Sequence, residues 1–289
     1  MKKIIFLLLL CFFTVHSNQN IKTTYTFSPD PIDVIIPCHA KDKRTLDLVI
    51  KGIKENGKNI RRIIIISAQP LSELAEWVPE DIFPFSKKDL INAIAKENKE
   101  LIKKVSKSSR IGWIYQQLLK LYSPFVIENI SPNVLALDAD TVFLNPVEFM
   151  NEKSEPYFNV GTEHHRPYFE HAAKLLDHPF TITKLFPRHS GICHHMLLQK
   201  PVLEDLFEKI EEKSGMAAWK TLCFHVNLAH LRGSCMSEYE IYFNFIMSRT
   251  DQAKIRKLKW ANAAYRSHTI SRYKNHGYHY VSCHAYIKR

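Results

Sequence analysis

Three short apolar runs constrain the fold of this chain most strongly. They occupy Ile32–Pro37, Arg61–Ser67 and Val134–Leu137. Their apolar residues follow one another without polar alternation, and a pattern with helical spacing over 45–56 separates the first two runs. Strands that are apolar on both faces belong to parallel sheets with helices packed on both sides. The sequence therefore predicts an α/β fold with a mostly parallel central sheet.

The rest of the chain predicts one large domain. Helical patterns cover 87–107, 112–122, 202–213 and 237–248, and a final strand is predicted over 278–287. The polar, aperiodic stretch 18–30 is predicted to be a linker, so the domain extends over 31–289. Its second half is richer in histidine and aromatic residues and less regular than its first.

The N-terminus has the pattern of a targeting segment. Lys2 and Lys3 precede the apolar stretch Ile4–Val15, which is typical of a signal peptide or signal anchor over residues 1–17. The stretch is short for a membrane span. We therefore expect an exported protein, or one tethered to a membrane through this segment. The cysteines after it are odd in number and lack C-x-x-C spacing, so they indicate no disulfide framework.

The charge balance indicates an acidic partner. Forty basic and 29 acidic residues give a net charge of +11, which favours phosphates, nucleotides, nucleic acid or an anionic membrane. Runs of charge are most often solvated helix faces, and the chain lacks a nucleic-acid-binding motif. A phosphate-bearing small molecule is therefore the expected ligand, and nucleic acid is not.

Two carboxylates end the third apolar run. Asp138 and Asp140 are two positions apart at the end of the predicted strand. Because side chains alternate along a strand, these two point to the same side. Such a pair suits Mg²⁺ or Mn²⁺ carrying a phosphorylated substrate, although two solvated carboxylates at a turn are an alternative. A haloacid-dehalogenase-like phosphohydrolase with Asp138 as nucleophile is another, but Val142 stands where that family has threonine.

Several segments together carry a resemblance to a known family. They are Ile32–Asp42, Arg110–Lys120, Leu137–Leu144, His189–His195 and Ser237–Phe243. The chain resembles the GT-A glycosyltransferases, and more narrowly a group of bacterial glycosyltransferase-like proteins classed as a domain of unknown function. The resemblance implies a Rossmann-like GT-A fold in which residues 31–146 bind a nucleotide-diphosphate sugar and residues 147–289 bind the acceptor. It also implies transfer of a sugar, such as a hexose, to a hydroxyl group of a glycan, lipid or protein.

The same resemblance assigns the donor site. It places four residues after the first strand near base and ribose: Pro37, His39, Lys41 and Asp42. Helix capping by Lys41 and Asp42 is the alternative. It also turns the face carrying Trp113, Gln117 and Lys120 toward the donor, with Lys120 or Arg110 contacting the diphosphate. A solvated helix face is the alternative there.

For the metal, the resemblance implies Mn²⁺ or Mg²⁺ bound directly by Asp140, with Asp138 acting through ribose or water. A third ligand is expected from the C-terminal part of the chain. His284 is the first choice, followed by His268 and His276. The metal would neutralise the leaving diphosphate.

An inverting enzyme would also need a carboxylate base. The resemblance implies Glu238 or Glu240, with Glu238 ahead, although Ser237 beside them could make both acids part of a helix cap. The resemblance also places His189–Ile192 on the acceptor side. The aromatic segment His164–Phe169 is predicted to stack on sugar rings there, with a packed aromatic loop as the alternative. A non-catalytic module that binds anionic glycan or lipid remains the alternative outside enzymes.

Overall fold

The computed structural model describes residues 22–284 and residue 287. The predicted signal segment 1–17 and residues 18–21 of the predicted linker lie outside this range. Residues 22–30 have no helix or strand, but Tyr25 is buried and its ring stacks on Phe27 at 5.8 Å between ring centres.

The strands are β1 (Ile32–Pro37), β2 (Ile60–Ser67), β3 (Glu76–Pro79), β4 (Asn133–Leu137), β5 (Thr141–Phe143), β6 (Tyr157–Phe158), β7 (His195–Gln199), β8 (Lys254–Ile255), β9 (Trp260–Asn262) and β10 (Tyr280–Ser282). The helices are α1 (Lys43–Asn56), α2 (Lys87–Ile94), α3 (Lys99–Val105), α4 (Arg110–Val126), α5 (Arg166–Ala172), α6 (Lys200–Ser214), α7 (Ala218–Phe224), α8 (Glu238–Arg249) and α9 (Ser267–Asn275).

The central sheet has five strands in the order β3-β2-β1-β4-β7. The first four are parallel, and β7 adds an antiparallel edge strand to β4. The predicted α/β architecture with a mostly parallel sheet is therefore confirmed.

Both faces of this sheet are covered, because successive strand residues point to opposite sides. In β1, Ile35 packs into a core formed with α2, α4, α6, α7 and α8. Its neighbours Val34 and Ile36 pack into a second core formed with α1, α9 and the strands β5 and β10. Two cores on opposite faces explain why the strand sequences are continuously apolar.

Two predicted elements differ from the structure. The stretch 87–107 forms two helices, α2 and α3, because Lys96 and Glu97 adopt left-handed φ angles of 52° and 60°. The Asn98 side chain then accepts hydrogen bonds from the first N–H groups of α3. The final strand, predicted over 278–287, is limited to β10 among the described residues.

A small second sheet has the order β5-β10-β9. It places β10, the last strand among the described residues, beside β5, which closely follows the central strand β4 in the chain. Strand β10 runs antiparallel to β5, with Ser282 opposite Thr141. This register places the residues just after β10 beside Asp140, which immediately precedes β5.

None of the helices in the part of the chain that the structure describes is long and apolar enough to cross a membrane. The cysteines of the described residues are buried, and none of them forms a disulfide: Cys38, Cys193, Cys223, Cys235 and Cys283.

Candidate functional site

A cleft of about 1300 Å³ opens where strands β1, β2 and β4 end. Its wall contains Pro37, Ser67 and Asp138, which close or directly follow these three strands. Ligands of open α/β sheets bind at the carboxyl ends of the strands, and the volume exceeds that of a typical small-molecule pocket. The cleft is therefore the main candidate site.

The loop after β1 forms one rim of the cleft. His39 Nδ1 accepts a hydrogen bond from the backbone N–H of Lys41 at 3.2 Å and so begins a 3₁₀ turn over Ala40–Asp42. Asp42 precedes α1, but its side chain makes no capping hydrogen bond to that helix. Lys41 and Asp42 are exposed in the cleft wall, where they are accessible to a ligand.

Helix α4 presents the predicted polar face to the cleft. Arg110, Trp113, Gln117 and Lys120 all line it. The Arg110 guanidinium lies 5.2 Å from the centre of the Trp113 ring, and this ring stacks on Tyr168 of α5 at 6.3 Å. Through Trp113, this face of α4 therefore packs against α5, which belongs to the second half of the chain.

Lys120 is the centre of a buried charged cluster and is 3% exposed. Its Nζ lies 2.6 Å from Asp138 Oδ1, 2.7 Å from Glu238 Oε1 and 3.0 Å from the Tyr239 hydroxyl. An ammonium group has three N–H donors, and these three partners match them. The structure thus directs Lys120 to two carboxylates and a phenol, rather than leaving its charge for a diphosphate.

The charges of this cluster support one another. Burial alone would raise the pKa of Asp138, but the Lys120 ammonium and His194 hold it well below its usual range. Burial would likewise lower the pKa of Lys120, but the carboxylates of Asp138 and Glu238 raise it. Burial and the same two carboxylates raise the pKa of Tyr239, so its hydroxyl stays protonated and donates to Asp138 Oδ1 at 3.1 Å. Lys120 and Asp138 therefore remain charged over the whole neutral range.

Asp140 and His284 form a second pair at the cleft. His284 Nδ1 lies 3.0 Å from Asp140 Oδ2, and the Ser282 hydroxyl donates to Asp140 Oδ1 at 3.1 Å. The other ring nitrogen of His284 lies 3.1 Å from Asn262 Oδ1. Burial works to lower the pKa of His284, but the Asp140 carboxylate outweighs it and raises that pKa. The antiparallel pairing of β5 and β10 is what brings this histidine, 144 positions later in the chain, to Asp140.

The donor atoms at this pair suit a divalent ion carried by phosphate. Asp140 Oδ2 and His284 Nδ1 are close enough to be neighbouring ligands of one ion, and both residues line the cleft. Among the residues that the structure describes, no group of three His, Cys, Asp or Glu side chains is arranged to hold a metal. Mg²⁺ is often bound through one or two protein ligands with substrate phosphates and water completing its shell, so the pair fits this kind of site.

The other predicted ligands have different surroundings. Asp138 lies beside the pair in sequence, but its Oδ1 atom accepts from Lys120 and Tyr239. His268 is exposed on α9, and His276 Nδ1 contacts the backbone oxygen of Arg272 at 2.7 Å. Of the three candidate histidines, the structure brings His284 to Asp140.

The two candidate bases have different environments. Glu238 lines the cleft, whereas Glu240 is not among the described residues that do so. Glu240 is 1% exposed and accepts hydrogen bonds from Ser190 Oγ at 2.5 Å and from the Gly191 N–H at 3.2 Å. Ser237 caps α8 by accepting from the Glu240 N–H at 3.3 Å. Glu240 thus holds the Ser190–Ile192 segment against α8, and Glu238 is the acid that a ligand would meet.

The acceptor segments contribute only a few side chains. Of the segment His189–Ile192, Ile192 is the residue that lines the cleft among the described residues. Of the segment His164–Phe169, it is Tyr168. Sequence reasoning missed Glu163, His194 and Tyr239, which also line the cleft. The position of Tyr239 next to Glu238 and that of His194 within the segment His189–His195 were available signals, but no local pattern indicated Glu163.

Comparisons with known proteins identify a family but not an activity. The sequence has no match among curated proteins. The structure is similar to a crystal structure of an active-site mutant of LgtC, with a TM-score of 0.44 and 8% sequence identity over 89% of this chain and 91% of that chain. The model of a family of unknown function, DUF6492, matches residues 32–280, which include the whole central sheet and the Asp138–Asp140 turn. The chain belongs to this family.

Proposed function

We propose that the protein is a metal-dependent glycosyltransferase that transfers a sugar from a nucleotide-diphosphate sugar to a hydroxyl group of a glycan, lipid or protein. One observation carries the proposal. A single cleft at the carboxyl end of a parallel sheet collects the loop after β1, the Asp140–His284 pair and Glu238. This combination offers a place for a nucleoside, for a metal-bound diphosphate and for the acceptor chemistry.

The nucleoside and the diphosphate of the donor would bind to different parts of the cleft, according to their charge. The exposed loop with His39, Lys41 and Asp42 would hold the nucleoside, as the resemblance to GT-A enzymes implies. Asp140 and His284 would hold Mg²⁺ or Mn²⁺ with the diphosphate, and Arg110 is a cation of the cleft wall able to meet phosphate oxygens. When bound, the metal would stabilise the negative charge of the leaving diphosphate.

Glu238 is the proposed acceptor base. A base must be ionised and within reach of the acceptor hydroxyl. Glu238 lies in the cleft wall, where a ligand can reach it, and its Oε1 lies 2.7 Å from Lys120 Nζ. Because Glu240 is committed to Ser190 and Gly191, we propose for it a role in holding the acceptor-side segment.

The cellular site follows from the N-terminal sequence. We propose that residues 1–17 export the protein or tether it to a membrane, on the basis of their basic and apolar pattern. The donor must then be present in the compartment that the catalytic domain faces.

Thermal unfolding with a panel of nucleoside diphosphates tests the proposal. We expect UDP, GDP, or another member to raise the melting temperature only when Mn²⁺ or Mg²⁺ is present, because the ion joins diphosphate to Asp140. At about 100 times its dissociation constant, a ligand adds about 2.7 kcal/mol, which corresponds to a readily measured shift.

The control variants separate the site from the rest of the surface. Asp140→Asn should abolish the metal-dependent shift, whereas Asp47→Asn, an exposed acid of α1, should keep it. If no diphosphate stabilises the wild type under any metal condition, the proposal is wrong. Hydrolysis of simple phosphoesters with a covalent adduct at Asp138 would instead indicate a phosphohydrolase.

A further inference from the structure

Two cleft-lining side chains are buried with one nitrogen atom unused. Gln117 is 1% exposed and His194 is 6% exposed. Gln117 Nε2 and His194 Nε2 have no hydrogen-bond partner among the described residues. The other buried side chains with such atoms in the described part of the chain do not line the cleft. A buried donor or acceptor without a partner is unfavourable, so a ligand that hydrogen-bonds to these two nitrogen atoms would bind favourably here.

Both side chains are held in place by their other atoms. Gln117 Oε1 accepts a hydrogen bond from the backbone N–H of Glu238 at 2.9 Å, which leaves the Nε2 donors of the amide for another group. His194 has a left-handed φ of 65°, and its backbone oxygen accepts from the Asp138 N–H at 3.0 Å. The His194 ring packs edge to face against Trp260 and His284 at 5.2 and 5.0 Å.

The charged cluster connects these two side chains. Gln117 contacts Glu238, Glu238 and Asp138 both contact Lys120, and His194 Nδ1 lies 3.6 Å from Asp138 Oδ2. This buried part of the cleft therefore has two carboxylates and one ammonium, flanked by a neutral amide and an imidazole. Two carboxylates repel a phosphate group, whereas hydroxyl groups can donate to a carboxylate and accept from an amide.

We infer that this buried part of the cleft is a sugar subsite, in which Gln117 Nε2 and His194 Nε2 hydrogen-bond to hydroxyl groups of the donor sugar. The inference rests on the proposed function and extends it. In this account, the charged rim of the cleft binds the nucleoside diphosphate, and the buried part selects the sugar. Sugars with free hydroxyl groups facing this wall would be the accepted donors.

Titration calorimetry with UDP, UDP-glucose, GDP and GDP-mannose in Mn²⁺ tests the inference. For each variant, the readout is the ratio between the dissociation constants of the sugar nucleotide and of the matching diphosphate. Gln117→Met and His194→Asn should each raise this ratio by about tenfold, because one hydrogen bond to the sugar is lost. Asparagine is chosen for position 194 because it tolerates a left-handed φ.

The diphosphate titration distinguishes the inference from the proposed function. Both variants should bind the diphosphate within about twofold of the wild type, which also shows that they are folded. Gln199→Met is the matched control, because Gln199 is buried but lies outside the cleft, and its ratio should be unchanged. A wild type that binds no diphosphate contradicts the proposed function. A wild type that binds it, with both variants keeping the wild-type ratio, overturns the sugar subsite.

Discussion

Lys120 shows how one residue organises the candidate site. Its ammonium is shared by a carboxylate from the end of β4 and another from the start of α8, which are separated by 100 positions in the chain. The same cation holds the pKa of the Asp138 carboxyl well below its usual range. Lys120 therefore fixes the distance between the region proposed to hold the donor and the region proposed to activate the acceptor.

Replacing Lys120 by methionine should destabilise the protein strongly. The variant Lys120→Met would leave Asp138 and Glu238 buried without their cation, and removing one partner of a buried pair typically costs about 3–5 kcal/mol. The midpoint of denaturant unfolding measures this loss.

A surface ion pair provides the control for Lys120. Lys87 pairs with Glu80 at 3.0 Å, but the two side chains keep 45% and 23% of their surface exposed, so Lys87→Met should change stability by less than about 1 kcal/mol. Equal losses in the two variants would contradict the role given to the buried cluster.

At the scale of elements, α8 connects the cleft to the acceptor-side segment. Its first turn carries Glu238 toward Lys120 and Glu240 toward Ser190. Gly191 approaches the helix so closely that an added Cβ atom would lie 2.7 Å from the Tyr239 backbone oxygen and from Phe243 Cβ. Glycine at this position thus allows the segment to reach the cleft wall.

Two glycine variants test this close approach. Gly191→Ala should lower the free energy of unfolding by about 1–3 kcal/mol, because backbone and helix must separate to admit the methyl group. Gly112→Ala is the matched control: an added Cβ meets no atom within 4 Å there, and alanine favours the interior of α4, so stability should rise by about 0.5–1 kcal/mol. The same sign of effect in both variants would contradict the packing described for Gly191.

The segment before β1 is fixed to α6 and α8 through one carboxylate. Asp205 Oδ2 accepts hydrogen bonds from the Tyr25 hydroxyl at 2.5 Å and from Arg249 Nε at 2.9 Å. Burial acts to raise the pKa of Asp205, but the bonds from Arg249 and Tyr25 outweigh it and lower that pKa. The folded state therefore favours the ionised carboxylate.

This shift predicts a pH-dependent contribution to stability. Because the pKa of Asp205 is lower in the folded than in the unfolded state, its contribution is complete above the unfolded value near 3.8 and is lost as pH falls through the folded value. Asp205→Asn should therefore destabilise by about 1–3 kcal/mol at pH 7, and the difference from the wild type should shrink below about pH 3.8. Unfolding curves over this range measure it, and a difference independent of pH would contradict the ionised state assigned to Asp205.

For the molecule as a whole, local patterns predicted three of the five strands of the central sheet, but neither β3 nor β7. Strands β1, β2 and β4 are apolar on both faces and were identified from that property alone. Strand β3 was missed because it is an edge strand that contains Glu76 and a half-exposed tryptophan, Trp77. The break between α2 and α3 was missed because Lys96 and Glu97 are residues that normally favour a helix.

The candidate site was only partly predictable. Asp138 and Asp140 are visible in the sequence because they end a strand, but the partner of Asp140 depends on the register between β5 and β10, which no local pattern encodes. His284 was proposed from the resemblance to GT-A enzymes, not from its spacing. The partners of Lys120 were not predicted either, because Glu238 is 118 positions away and a lysine on a polar helix face gives no sign of burial.

Release of nucleoside diphosphate from sugar nucleotides tests the central claim most directly. A panel of UDP-, GDP- and ADP-sugars is incubated with the protein and Mn²⁺, with and without simple glycan acceptors, and the free diphosphate is measured. We expect release from at least one donor, a dependence on divalent metal, and about a 100-fold lower rate in Asp140→Asn. The account is contradicted if sugar nucleotides bind without any release of diphosphate, or if the protein instead liberates inorganic phosphate from simple phosphoesters.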